Sequence, residues 1–187
     1  MVSHLATCSS THDTLGPSQP NAILRFDAAG DTRYWLLIEA SANAKLKHID
    51  ALLRKVWLEC CGHMSAFRVA QRELAMSATV TVAFGRAGAQ LEYEYDFGST
   101  TELVGELVGQ RRGASTRAPV RLLARNEPLA WRCADCKALA TIACPYCLDA
   151  GDGLFCDTHA DAHEHAGEEV YLPVVNSPRM GVCGYTG

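Results

Sequence analysis

Apolar positions along the first two thirds of the chain follow two rhythms, and each predicts an element. Residues 22–26 and 34–40 are largely apolar stretches flanking Asp27-Ala28-Ala29-Gly30-Asp31, whose glycine and aspartates are turn chemistry, so they predict two strands. The unbroken run Trp35, Leu36, Leu37 and Ile38 predicts that the second strand is central. Leu46, Ile49, Leu53, Val56, Trp57 and Cys60 then recur at three- and four-residue intervals, which predicts one amphipathic helix ending before Gly62. Residues 64–70 and 78–84 read as further strands. Gly85-Arg86-Ala87-Gly88 predicts a turn into residues 91–97, which alternate apolar at odd and acidic at even positions, as a half-buried strand does. The fold class expected is therefore α+β, with a small mixed or antiparallel sheet packed on one main amphipathic helix.

Both rhythms fade after residue 125. In the stretch around Cys133 to His165 the apolar residues are mostly alanines, Ala138, Ala140, Ala143, Ala150, Ala160, Ala162 and Ala166, and a core that poor does not offset chain entropy. What the segment has instead is a row of soft donors. Cys133 and Cys136, Cys144 and Cys147, and Cys156 and His159 are three pairs with two-residue gaps, followed by His163 and His165. A two-residue gap lets both side chains of a pair reach one ion, and tetrahedral Zn2+ takes four S or N ligands. Eight ligands suit two zinc ions, one being the lower count, and structural zinc contributes an apparent ~10–16 kcal/mol to folding. The alternating order is similar to cross-brace, B-box-like fingers, in which the first and third pairs share an ion. On that resemblance Cys133, Cys136, Cys156 and His159 form one set and Cys144, Cys147, His163 and His165 the other. Cys183 could replace either trailing histidine and fasten a turn-rich C-terminus that follows a strand-like stretch at residues 170–175. Cys8, Cys60 and Cys61 fall outside the pattern.

Four other chemistries fit the segment less well. Cys144-Pro145-Tyr146-Cys147 has the sequence of a redox pair, but Leu148-Asp149-Ala150-Gly151-Asp152-Gly153 is turn chemistry where a long apolar helix should follow. A nucleobase deaminase would need a His-x-Glu before its cysteines, and a helical zinc protease a glutamate inside His159-Ala160-Asp161-Ala162-His163. A DNA-reading finger would place bases where Asp157 and Asp161 stand.

The 187 residues carry a net charge of −4 and are 48% hydrophobic, suiting one or two globular domains. From residue 127 onward nine acids face three bases, a surface that repels phosphate and argues against nucleic acid. Upstream, Arg111, Arg112, Arg117, Arg121 and Arg125 form a basic segment with no acid in it, readable as a solvated linker, a dock for an acidic surface or a nucleic-acid contact. No apolar run approaches the ~20 residues a membrane helix requires. Residues 1–21, rich in Ser, Thr, Gly and Pro, read as a disordered tail without a secretory pattern. A cytoplasmic location is expected, and in a reducing compartment the cysteines read as metal ligands rather than disulfides.

Within residues 22–125 the helix with Leu46, Ile49 and Trp57, then Gly62-His63-x3-Phe67, then Tyr95-Asp96-Phe97-Gly98 after an alternating strand, resembles the prokaryotic insertion-sequence passenger TnpR-like family, also called plasmid-open-reading-frame-three-like. The resemblance implies a compact α+β domain and no settled activity. Where the family continues with an acid, an aromatic and a histidine, this chain has Ser99-Thr100-Thr101-Glu102-Leu103. His63 and Asp96 stand where the pattern places them, as an acid–base pair or as a structural hydrogen bond. Glu92, Glu94 and Asp96 form a solvated strand face or a hard-cation site.

The expected organisation is a tail over 1–21, an α+β domain over 22–125 and a zinc module over 126–187. The expected function is a zinc-binding, non-catalytic adaptor that meets a protein partner, with no catalytic or organic-cofactor residues assigned. The alternatives are an enzyme centred on His63 and Asp96 or on an open zinc position, and nucleic-acid binding through the Arg111 to Arg125 segment.

Overall fold

Ser18–Ala28 (β1) and Trp35–Ser41 (β2) pair antiparallel, with Leu24 opposite Ile38 and Phe26 opposite Leu36. In the computed structural model, which describes residues 18–85, 89–114, 118–167 and 170–187, they begin the first of two units. That unit includes His63–Asn126 and the chain before Val56; the other is Val56–Gly62 with Glu127–Gly187. Residues 1–17 of the stretch read as a tail lie outside the described residues, and residues 18–21 are the start of β1.

The first unit is a seven-stranded, wholly antiparallel sheet. Its remaining strands are Ser65–Val69 (β3), Arg72–Leu74 (β4), Gln90–Tyr95 (β5), Thr101–Ala114 (β6) and Val120–Arg125 (β7), in the spatial order β4-β3-β5-β6-β1-β2-β7. β2 is interior, flanked by β1 and β7, and Leu36, Leu37, Ile38, Glu39 and Ala40 are all buried. β5 keeps strict alternation: Leu91, Tyr93 and Tyr95 are buried while Glu92 is exposed. β6 joins the two halves of the sheet by pairing with β5 on one side and β1 on the other. Gly105 of β6 faces Phe26, and a Cβ at Gly105 would lie 2.6 Å from the Phe26 ring, so the glycine makes room for the largest side chain of β1.

The expected sheet packed on one main helix is not what forms. The protein is mostly antiparallel sheet with short helices, and its longest helix among the described residues, Leu46–Leu53 (α1), has 8 residues. Leu46, Ile49 and Leu53 are its buried stripe, as the spacing requires. Beyond Leu53 the backbone widens into a π turn over Arg54–Leu58, so the periodicity that reads as one helix to Cys60 is carried by two geometries. The expected strand at 78–84 is instead a single helical turn, Val80–Ala83 (α2), because Thr79 caps it: its Oγ1 accepts from Val82 N at 3.4 Å. The sheet outgrows the expectation chiefly at β6, whose alternation is masked in the sequence by Gly105, Gly109 and Gly113 and by its charged residues.

A polar network ties α1 to the sheet. Asp50 accepts from Ser65 Oγ at 2.6 Å and from Tyr93 Oη at 2.8 Å, and the Arg54 guanidinium donates to Asp50, to Ser65 Oγ and to the His63 carbonyl. Arg54 also lies over the Tyr95 ring, 4.7 Å from its centroid. Burial and the Asp50 carboxylate hold the Tyr93 phenol well above its ordinary range, so it stays a donor.

The second unit has a three-stranded sheet, order β10-β8-β9, made of Ile142–Ala143 (β8), Leu154–Phe155 (β9) and Leu172–Pro173 (β10), with Pro145–Leu148 (α3) and Asp157–Ala160 (α4) as single helical turns. Around the Cys/His turns it has a small buried cluster, Cys133, Cys144, Phe155 and Ala160, with Ile142, Cys147, Cys156 and Tyr171 packed against them, and Trp57, Leu58 and Tyr185 are buried elsewhere in the unit. Two of the cluster's four buried residues are cysteines.

Candidate metal centres

Each Cys/His pair is placed by a turn that aims both donors the same way. Cys133 and Cys136 sit on a tight knuckle closed by Cys133 N to Ala138 O at 2.8 Å, with Lys137 at φ 62 in the left-handed region. Cys144 precedes α3 as its N-cap, Pro145 opens the turn, and Cys147 lies one turn on. Cys156 in the same way precedes α4, which carries His159 three residues later. His163 and His165 follow α4, and His163 is held between aromatic rings, its centroid 4.3 Å from Phe155 and 6.4 Å from Tyr171. Tyr171 Oη donates to Ala160 O at 3.0 Å, which fixes that clamp.

These turns gather the eight donors into two groups of four. Cys133, Cys136, Cys156 and His159 form one, and Cys144, Cys147, His163 and His165 the other, with all donor atoms of a group within 4.8 Å of one another. The individual separations are informative. A tetrahedron with metal–S bonds of about 2.3 Å and metal–N bonds of about 2.0 Å has S–S edges near ~3.8 Å, S–N edges near ~3.5 Å and N–N edges near ~3.3 Å. In the first group Cys136 Sγ to Cys156 Sγ is 3.8 Å, and Nδ1 of His159 is 3.5 Å from Cys133 Sγ and 3.2 Å from Cys156 Sγ. In the second, Cys144 Sγ to His165 Nδ1 is 3.5 Å, Cys147 Sγ to His163 Nε2 is 3.4 Å, and His163 Nε2 to His165 Nδ1 is 3.2 Å. The one-residue gap between the two histidines is bridged by using different ring nitrogens, Nε2 of His163 and Nδ1 of His165.

The electrostatics of the groups differ. Burial pushes the Cys133 thiol up, but the backbone N–H groups of Cys156, Cys136 and Asp135 and the Cys136 thiol outweigh it and bring it down to about 6. The backbone N–H and imidazole of His159 lower Cys156, and Cys156 in turn raises His159. In the second group burial and the adjacent Cys144 push the Cys147 thiol up to about 11. A bound cation reverses that sign, since a coordinating thiol is deprotonated outright.

Cys183 joins neither group. It lies with Cys60 and Cys61 in the second unit, Cys61 Sγ standing 3.7 Å from both Cys60 Sγ and Cys183 Sγ. Sequence spacing missed Cys60 and Cys61 because their thiol partner is more than a hundred residues away. The one local signal was the adjacent pair itself, at a point where the helical periodicity was ending. None of the eight described cysteines is in a disulfide; Cys8 lies outside the described residues.

In the first unit His63 Nε2 is 3.4 Å from Asp96 Oδ2, and Asp96 Oδ1 accepts from Gly98 N at 3.0 Å. Asp96 is buried at φ 65, so this carboxylate holds a tight turn. The cavities of about 350 and 560 Å3 in this unit are lined by other residues, including Ala22, Val80 and Phe84 in one and Leu74, Val82 and Ala83 in the other. Of the candidate cation face, Glu94 is taken by Arg68 in an ion pair. The basic segment is no linker: Arg111 and Arg121 lie in β6 and β7 and both pair with buried Glu39, Arg121 Nε at 2.6 Å. Arg117 lies outside the described residues.

No helix among the described residues is long and apolar enough to cross a membrane. No protein-family model matches the chain, and no curated protein matches its sequence. Among solved structures it is similar to the crystal structure of a protein of unknown function, MM3350 from Methanosarcina mazei Go1, at a TM-score of 0.50 and 15% identity, over 57% of this chain and 69% of that one. That likeness shows a shared fold and nothing of activity.

Proposed function

We propose that this is a zinc-binding protein in which two Zn2+ ions fold the second unit, and that the unit serves as a non-catalytic interaction module for a protein partner. The observation that carries the reading is the donor count: each group supplies four protein ligands at tetrahedral spacing, leaving no corner for a substrate or an activated water. Zinc is favoured over other metals by the mixed thiolate and imidazole sets, which are poor for Mg2+ or Ca2+. The module presents apolar side chains that its small core does not use, Leu139 at 58% and Tyr146 at 62% exposed. Its acidity favours a partner with a basic or mixed rim rather than nucleic acid. Kinship with the TnpR-like passenger family remains part of this proposal, resting on the His63-x3-Phe67 and Tyr95-Asp96-Phe97-Gly98 stretches.

The test is capture of partners by zinc-loaded protein, compared with a Leu139→Ser, Tyr146→Ser double variant of unchanged zinc content. Capture lost in the double variant is the expected result. Capture equal in both, or turnover of a substrate that vanishes when zinc is removed, contradicts an adaptor role.

A further inference from the structure

Among the described residues, the three thiols left outside the two groups are the strongest unexplained feature of the molecule. Cys60 and Cys61 are adjacent and follow the π turn, while Cys183 comes from the last turns of the chain, all within the second unit. Two of their S–S separations are 3.7 Å, the edge length of a tetrahedral metal–thiolate site and far longer than the ~2.05 Å of a disulfide. The backbone is bent to bring them there. Cys183 has φ 51, in the left-handed region that non-glycine residues rarely occupy, and Gly181 and Gly184 on either side are also left-handed, at φ 80 and φ 68. Neighbouring contacts hold the segment against residues 57–60: Ser177 Oγ donates to Trp57 O at 2.6 Å, and the Arg179 guanidinium, fully buried, donates to Cys60 Sγ at 3.5 Å. A buried cation beside a sulfur favours its thiolate form and offsets part of the negative charge that three thiolates would place on a divalent ion.

We propose that Cys60, Cys61 and Cys183 hold a third metal ion of the thiophilic, Zn2+ class, which staples the C-terminal segment to the stretch that follows α1. A tetrahedral site calls for one further donor beyond the three thiolates. The site is built from distant parts of the sequence and uses none of the eight ligands of the other two groups. It extends the zinc reading above without depending on which proteins the module meets.

Zinc content of the full chain, purified without added metal or chelator, tests it together with Cys61→Ser, Cys183→Ser and Cys144→Ser variants. Cys61 and Cys183 are exposed, so serine there leaves the cores untouched. The expected result is three zinc ions per chain, two in either Cys61→Ser or Cys183→Ser, and a weaker thiolate-to-cobalt absorption band in both after cobalt exchange. Two ions in the unmodified protein, unchanged in Cys61→Ser and Cys183→Ser, would overturn the third site while leaving the other two standing. Failure of the zinc reading itself shows differently, as no loss of metal in Cys144→Ser. A disulfide among these three cysteines in freshly purified protein would also overturn the proposal.

Discussion

Glu39 lies in an interior strand with 3% of its side chain exposed, and it is tolerable there because two guanidiniums, from Arg111 and Arg121, converge on its carboxylate. Removing one partner of a buried charge set costs more than the set contributes, since the remaining charges stay desolvated. Glu39→Ala should therefore destabilise the first unit by about 3–5 kcal/mol, read as a lower urea midpoint at unchanged slope. A loss below about 1 kcal/mol, the range of exposed pairs, would mean that the arginines reach water instead. The sequence displayed the five arginines plainly but not their partner. Arg111 and Arg121 meet an acid more than seventy residues upstream, and only strand pairing brings them together. A segment that looks solvated in one dimension is in this way partly interior in three.

At the scale of elements, the chain is most legible where a single neighbour decides the outcome. The alternation of Leu91, Tyr93 and Tyr95, the turn between β1 and β2, and the stripe Leu46, Ile49, Leu53 all report burial against one face. Legibility fails where geometry changes without a change of pattern, as in the π turn after Leu53, or where a cap overrides propensity, as Thr79 does before α2. The metal turns were legible in part because ligand spacing is itself local. Their support was less so. Gly153 packs against α3 so closely that a Cβ there would lie 2.5 Å from Leu148 N and 2.8 Å from Cys144 O, both backbone atoms that cannot move aside cheaply. Gly153→Ala should displace Cys144 and Cys147 and cost the chain the ion of the second group while sparing that of the first. A zinc content equal to that of the unmodified protein would show that α3 tolerates the shift.

On the proposed zinc reading, the molecule as a whole is stabilised by two different means. The first unit buries a conventional apolar core that includes Phe26, Ile38, Phe67 and Tyr93, whereas the cluster around the Cys/His turns of the second has four buried residues, two of them thiols of the candidate metal groups. Burial of apolar surface at roughly 25 cal/mol per Å2 sustains the former, whereas on the proposed zinc reading the Cys/His cluster depends on its ions, so the two should respond differently to loss of metal. The most direct measurement is amide hydrogen exchange on the full chain before and after a strong chelator. The expected result is collapse of protection at Ile142, Ala143 and Phe155 in β8 and β9, with protection retained at Leu24, Leu36 and Ile38 in β1 and β2. Protection in β8 and β9 that survives complete removal of metal would contradict the claim that zinc folds this unit.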